Sequence, residues 1–506
     1  MDKLANYGSD DDCEEESPKT NNSENEDRNV AAASTSIAPK TVDTNYDNVG
    51  MELSEIPCKT KNQVISHINN HKKNEKPKAK LKAKEDPPLS PTTSATNDSF
   101  KYDLCKSLLT SNIPLQNLDN SSFKQFLEKY CKKCIPEESI MRKVYLEDIY
   151  SNVMTEIKES VGTNYFYVII DETADKAGRY IGSISLGILK TDCKGKQYLI
   201  TIKELSQSDY LTVSNFISTT LSNFFLPEKV PADKVLLLVS NSSRHMVKAG
   251  QYLKTMYKNL IHVTCMLNGL NQVAEEISEQ VPALTRFITN FENIFYESPL
   301  RLETFKEKLP HLSQPPQVVK CRWDTWMEAA LFHAKYHQEV TEIIHEFSET
   351  TSLISECRRL LERPQLREQT TFVETNYKFV PKVMSMLQAG IVPLESSIKY
   401  LKIFEEYVRR VRGGKGSIII EKLDEVFINN VGFQSLIAIN DINNGETNQI
   451  FNLDSELAMY FKYAPVTCMD LKRHSQVYNS HISNPTGFTN ENFDKETIVR
   501  YYYSSK

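Results

Sequence analysis

The chain has 506 residues, 40% of them hydrophobic and 25% charged, with a net charge of −6. That length exceeds one ordinary core, so two or three structural units are expected. No apolar run approaches the roughly 18 residues that span a bilayer, the acidic start MDKLANYGSDDD offers no signal-like apolar segment, and ten scattered cysteines fit free thiols in a reducing compartment, not a disulfide framework.

Residues 1–98 are poor in large apolar side chains and rich in Ser, Asn, Asp, Glu, Lys and Pro, a composition expected to stay disordered. Charge is polarised within them: an acidic block covers 9–27, whereas HKKNEKPKAKLKAK (71–84) carries seven lysines, among them Lys72, Lys73, Lys78, Lys80, Lys82 and Lys84. Such a run is either a solvated linker, or a nuclear import signal or phosphate-contacting tail. Residues 99–161 form a small helical lead-in unit. Leu104, Leu108 and Leu109, then Phe123, Phe126 and Leu127, recur at helical spacing, with Asn120 or Ser121 as a helix cap.

Residues 162–322 carry the β-rich pattern. YFYVII (165–170) is a short apolar strand followed by the polar turn DETADKAG; YIGSISLGIL (180–189) and QYLITIK (197–203) are two more strands, joined by turns short enough for an antiparallel meander. A helix over 208–226, a strand over 235–239, a helix over 242–257, a strand over 261–264 and a helix from about Leu267 follow. The order β-β-β-α-β-α-β-α describes an α/β, ribonuclease-H-like mixed sheet in which the first and fourth strands are neighbours. Asp171 leaves the first of these strands and Asn241 the fourth. Residues 323–445 read as a large all-helical insertion, and 446–506 as the C-terminal part of the core with a truncated dimerisation region.

Several side chains have both a functional and a plain structural reading. Arg322 and Trp323, with Trp326, either stack on nucleic acid or anchor the helical block. Arg409, Arg410 and Arg412 in VRRVRGGKG form a basic helix end that reaches phosphates or is merely solvated. The following GGKGS lacks the first glycine and the spacing of a P-loop. Cys131 and Cys134 have a metal-ligand spacing but no second pair, and read as two thiols on an amphipathic helix. His333 and His337 lie one turn apart without the glutamate of a zinc protease, and read as helix-face residues.

The segments RHMVKAG (244–250), CMLN (265–268), CRWDTW (321–326) and APVTCMDLKRH (464–474) together resemble hAT-superfamily transposases. The lead-in LCKSLLTSNIPLQNLDNSSFKQFLEKY resembles that of the CGG triplet repeat-binding proteins, from the same transposon lineage. The resemblance runs from about residue 56 to the C-terminus. It implies a nuclease site of three carboxylates around two divalent ions, because hard cations placed close together need anionic oxygen. Carried over position by position, the three acids fall on Asp171, Asn241 and Lys472, with Asp470 two residues from the last. One carboxylate in three does not hold a magnesium or manganese pair against the cost of dehydration.

Two further motifs depart from the family. Its Cys-x-x-His ends here in Asn268, and its BED-type zinc finger (about 56–73) is reduced to Cys58, His67 and His71, with Lys61 where the second cysteine belongs. Three ligands rarely make a stable structural zinc site, so no cofactor is expected. The expectation is therefore a catalytically inactive, transposase-derived nuclear protein. It would bind double-stranded DNA or chromatin proteins, possess a transcriptional role or dimerise, and have no membrane association. An active transposase with an unconventional metal site, a scaffold without a nucleic-acid role, and a transposon remnant are the alternatives.

Overall fold

The computed structural model describes residues 93–174, 178–312, 314–319, 322–348, 350–390, 392–446, 453–468 and 490–504, all within one compact unit, Lys82–Lys506. The lysine-rich run and the finger residues Cys58, His67 and His71 lie outside the described residues, as do Asp470 and Lys472.

Helical spacing of apolar residues sets the lead-in. Helix α1 (Thr93–Thr110) buries Cys105, Leu108 and Leu109, and a 3-10 turn (Leu115–Asp119) buries Leu115 and Leu118. Asn120 then caps α2 (Ser121–Cys131) as its sequence suggests, its side chain accepting the Phe123 N–H at 3.1 Å. A short turn (Glu138–Ile140) and a π-helical turn (Met141–Leu146) lead into α3 (Glu147–Val161). On α3, Ile149, Val153, Ile157 and Val161 make one apolar stripe against the core.

The sheet has the strand order β3-β2-β1-β4-β5. Strands β1 (Phe166–Ala174), β2 (Tyr180–Ile188) and β3 (Gln197–Leu205) form an antiparallel meander. Helix α4 (Tyr210–Phe225) crosses to β4 (Val235–Ser240), parallel to β1, and α5 (Arg244–Met256) crosses to β5 (Ile261–Thr264), parallel to β4. Val213, Ile217 and Leu221 of α4 and Met246, Ala249 and Leu253 of α5 join Phe166, Val168 and Ile170 of β1 and the buried face of α3 in one apolar cluster. The first and fourth strands are thus neighbours, as the element order implies. Strand β1 is longer than its apolar run suggests. Asp171 pairs with Ser183, Glu172 with Gly182, Thr173 with Ile181 and Ala174 with Tyr180. The antiparallel partner keeps satisfying backbone groups after the hydrophobic pattern has ended, so Asp171 stands inside a strand and not in a turn.

The chain is helical from Met266, well before Trp323: α6 (Met266–Glu279), α7 (Pro282–Tyr296) and α8 (Pro299–Lys308) precede α9 (Trp323–Lys335), α10 (His337–Glu346), α11 (Ser352–Leu361), α12 (Pro364–Tyr377), α13 (Val380–Gln388), α14 (Leu394–Arg409), α15 (Gly414–Ile428) and α16 (Val431–Asn443). Helix α6 packs against α7, α9, α13 and α15, which ties the helical block to the end of β5. A short helix α17 (Ser455–Met459) and a 3-10 turn (Tyr460–Tyr463) precede the Ala464–Cys468 segment. The last helix, α18 (Asn490–Ser504), packs back on α1, α3 and β3.

Each edge strand of the sheet is packed against a later element of the chain. At β3 that element is α18. At β5 it is the start of α16, where Asn430 substitutes for a missing strand: its Oδ1 accepts the Thr264 N–H (3.3 Å) and its Nδ2 donates to the Thr264 carbonyl (2.7 Å). The approach is close enough to require Gly432, since a Cβ there would lie 1.8 Å from the His262 carbonyl oxygen. Backbone cannot yield as a side-chain tip can. Gly432→Ala is expected to destabilise the fold by roughly 1–3 kcal/mol or more, read as a lower urea midpoint; an unchanged midpoint would show that β5 and α16 separate without cost.

Candidate functional site

The parallel pair β1–β4 ends at Ile169 opposite Val239. Asp171 and Asn241 each lie two residues further on, so the register sets them at equivalent places just past the end of the parallel pairing, Asn241 beyond β4 and Asp171 within the antiparallel extension of β1. In open α/β sheets this is where ligands and chemistry gather. Asp171 is 4% exposed, and the Ser183 hydroxyl donates to its carbonyl at 3.4 Å. Asn241 turns the strand into a helix: its Oδ1 accepts the Ser243 N–H at 3.0 Å, a local turn that positions the first residues of α5.

Beneath this turn Ser240 Oγ lies 2.8 Å from both the Asn241 carbonyl and His262 Nε2. The single hydroxyl proton goes to the carbonyl, so His262 carries its proton on Nε2 and donates it to the serine. Burial pushes the His262 pKa down to about 4, so the ring is neutral at physiological pH.

A cleft of about 500 Å³ opens beside Asn241. Asn241, Ser242 and Ser243 line it from the β4–α5 turn, Asn268, Asn271, Gln272 and Glu275 from α6, and Trp323 from α9. Three residues that stand out in the sequence, Asn241, Asn268 and Trp323, thus meet in one cleft. Its amides also hold the frame: Gln272 Nε2 donates to Ser242 Oγ (2.9 Å), Asn271 Oδ1 accepts the Trp323 N–H (3.1 Å), and Asn268 Nδ2 lies 3.8 Å from Cys468 Sγ. The Ala-Pro-Val-Thr-Cys segment closes on the same corner, with the Met266 N–H donating to the Val466 carbonyl (2.9 Å) and the Cys468 N–H to Cys265 Sγ (3.2 Å). A second concavity of about 530 Å³ lies on the outer face of α12, around Arg367 and Phe372. It carries none of these residues.

The cleft's donors and acceptors are mostly neutral, with Glu275 its one acid. A divalent cation is held by anionic oxygen, and the Asn241 carbonyl oxygen brings no charge. Among the described residues no group of three His, Cys, Asp or Glu side chains is placed to hold a metal ion.

A further cluster escapes the sequence pattern. Strand alternation sends Glu172 to the face opposite Asp171, where its Oε2 pairs with His245 Nε2 at 2.8 Å, while Oε1 is buried without a partner. Ser208 and Ser243 hydroxyls lie 3.3 and 3.4 Å from the same Nε2. A Ser-His-acid relay needs serine and carboxylate on opposite ring nitrogens. Here all three compete for one nitrogen, so the cluster braces β1 against α5 and does not activate a nucleophile.

The remaining candidates separate cleanly. Trp326 is buried and anchors the helical block, whereas Trp323 is half-buried and faces the cleft. Arg322 pairs with Asp324 at 2.9 Å. Arg409 is engaged by Glu405 and Asp424, and Arg410 by Glu406; Arg412 is exposed, with no ion-pair partner among the described residues. His333 and His337 do not share a helix, since α9 ends at Lys335. Far from being a helix-face residue, His333 is buried edge-on among Phe287, Phe291 and Phe332.

Residues 136–294, from the turn before α3 through the whole sheet into α7, match the model of a domain of unknown function, DUF659. This domain is found in hAT-like transposase-related proteins. No curated protein matches the chain.

Proposed function

We propose that this chain is a catalytically inactive, hAT-transposase-derived protein that binds double-stranded DNA in the nucleus, its sheet the remnant of a ribonuclease-H-like nuclease core. One observation carries the reading: where the parallel pairing of β1 and β4 ends, the two positions that would present metal-binding acids carry Asp171 and the neutral Asn241. The DUF659 match over the sheet supports the lineage. The third acidic position of the resemblance falls on Lys472, a cation. Replacing one carboxylate of a two-metal site by an amide and another by an amine removes two negative charges and adds a positive one, and hard cations do not bind there. The cofactor reading at these two places is accordingly that no magnesium or manganese pair is held at the strand ends and no zinc by the finger residues Cys58, His67 and His71, which are one ligand short.

DNA affinity in this reading comes from the lysine-rich run, helped by Arg412 and by stacking on Trp323. The internal pairing of Arg322, Arg409 and Arg410 leaves them less to offer phosphates. Contact with about six phosphates makes affinity fall roughly a thousandfold between about 50 and 200 mM salt. Titration of a labelled duplex with the full chain at those two salt concentrations tests this. Alanine at Lys72, Lys73, Lys78, Lys80, Lys82 and Lys84 is expected to flatten the salt dependence, and the duplex is expected to stay uncut with magnesium or manganese. Nicking that disappears in Asp171→Ala overturns the inactive reading in favour of an active transposase. Failure to retain duplex at low salt overturns the DNA reading in favour of a scaffold that recruits chromatin proteins.

A further inference from the structure

Helix α2 carries two apolar stripes, each one turn long. Phe123 and Leu127 pack inward on the lead-in core. Phe126 and Tyr130 point outward, 56% and 65% exposed, with ring centroids 5.0 Å apart. No residue of α2 is fully buried. The outward stripe runs directly into Cys131, the last residue of the helix.

The loop after it is pinned at both ends by one residue. Lys132 takes the left-handed conformation (φ 54°, ψ 33°) that reverses the chain, its N–H donating to the Glu128 carbonyl at 3.1 Å. Three residues on, the Ile135 N–H is accepted by Glu128 Oε1 at 3.4 Å, and Ile135 is buried. The two free, exposed thiols flank the first anchor at the Cys-x-x-Cys spacing, Cys131 at the helix end just before Lys132 and Cys134 in the loop just before Ile135.

That spacing supplies two ligands of a tetrahedral thiolate site, and zinc in such sites takes four. Among the described residues no third His, Cys, Asp or Glu completes a group there. From the pinned thiol pair and the adjoining outward aromatic stripe we infer that Cys131 and Cys134 form half of a tetrathiolate zinc site, completed by the same pair from a second copy of this chain. A two-fold contact is self-complementary, each patch meeting its own image. Phe126 and Tyr130 then bury against their counterparts beside the metal. Binding replaces four S–H bonds with four Zn–S bonds and releases four protons to solvent, so it weakens as acidity rises. The resulting centre carries two net negative charges, and Lys129, Lys132 and Lys133 adjoin the two cysteines in each chain.

The test uses the full chain under reducing conditions, with zinc removed and then restored. Wild-type protein is expected to bind one zinc ion per two chains more than Cys131→Ser/Cys134→Ser, and to sediment as a dimer that a chelator returns to monomer. Cobalt in place of zinc should show the thiolate charge-transfer bands of a tetrahedral four-sulfur site, absent in that variant. Phe126→Ser/Tyr130→Ser keeps the thiols and should weaken the zinc-dependent dimer about tenfold or more. Equal zinc content in wild type and the cysteine variant overturns the inference. So does one extra zinc per monomer, which would mean that one chain completes the site, or a dimer indifferent to the cysteine changes and to chelation.

Discussion

Replacing Glu496 by glutamine is expected to lower the stability of this protein by about 3–5 kcal/mol, the cost of leaving a buried ion cluster short of one charge. Glu496 is 4% exposed and holds two guanidinium groups. Its Oε1 accepts from Arg500 Nε (2.9 Å) and Nη2 (2.6 Å), and its Oε2 pairs with Arg142. Arg142 is also engaged by Glu138 at 2.7 Å, so the two cations and two anions of the cluster balance. Arg500 spends its other donors on the lead-in: the Leu109 carbonyl (3.3 Å), Asn112 Oδ1 (2.9 Å) and the Ile113 carbonyl (2.9 Å). These contacts clasp α18 to α1 and to the π-helical turn, joining the two ends of the described chain. The Cys105 thiol beside the cluster has its pKa pushed up to about 12, first by burial and then by the Glu496 carboxylate.

Glutamine keeps the size and part of the hydrogen bonding but leaves one uncompensated cation in a site with little access to water. The loss should appear in the urea midpoint and as early proteolysis of α18. Lys495→Ala removes the partly exposed pair with Glu147 and the contact of its ammonium with the Tyr150 ring, and should cost about 1 kcal/mol. A Glu496→Gln loss no larger than the Lys495→Ala loss would mean that water screens the cluster and that α18 is held by its apolar contacts instead.

The contrast between the strands and this cluster marks what a single sequence carries. VLLLV, IHVT and YFYVII announce themselves because an apolar run bounded by polar turns is a local pattern, and Asn120 announces itself as a cap because its partner is three residues away. Asn241 was legible as a strand-end residue for the same reason; Asp171 was not, because β1 runs on to Ala174, where β2 and not hydrophobicity sustains it. Arg142 and Glu496 are separated by 354 positions, Asn430 and Thr264 by 166, and Glu172 and His245 by 73. Nothing periodic links such partners. The alternation rule assigns Glu172 to a face but does not name the histidine that meets it there. Likewise the amide cleft was present in the sequence only as separate departures, Asn241 and Asn268, until β5 and α6 folded them to one corner.

Acidification from pH 7 to pH 5 is the second large effect, and it originates in two histidines that the fold keeps neutral. Burial pushes the pKa of His262 down to about 4 and that of His333 to about 3, the latter helped by the positive charge of His337 when protonated. The unfolded chain titrates near the ordinary value of about 6.5. Below that value the unfolded state binds protons that the native state refuses, so stability is complete above about pH 6.5 and declines as pH falls, levelling only near the folded values. At pH 5 each histidine costs about 2 kcal/mol, or about 4 kcal/mol together. The two contributions can be told apart. His333 has both ring nitrogens buried without hydrogen-bond partners, enclosed by Phe287, Phe291 and Phe332. His333→Phe removes two unsatisfied polar atoms but inserts a larger ring, two effects of about 1 kcal/mol each that oppose one another at pH 7, and it is expected to remove about half of the acid loss. His262→Gln abolishes the other half but sacrifices part of the bond to Ser240, so it should lower stability at pH 7. Urea denaturation of the wild type and both variants at pH 7 and pH 5 reads all of this. A wild-type stability that is flat across the interval, or an acid loss unchanged in His333→Phe, would show that water reaches these rings and protonates them in the native state.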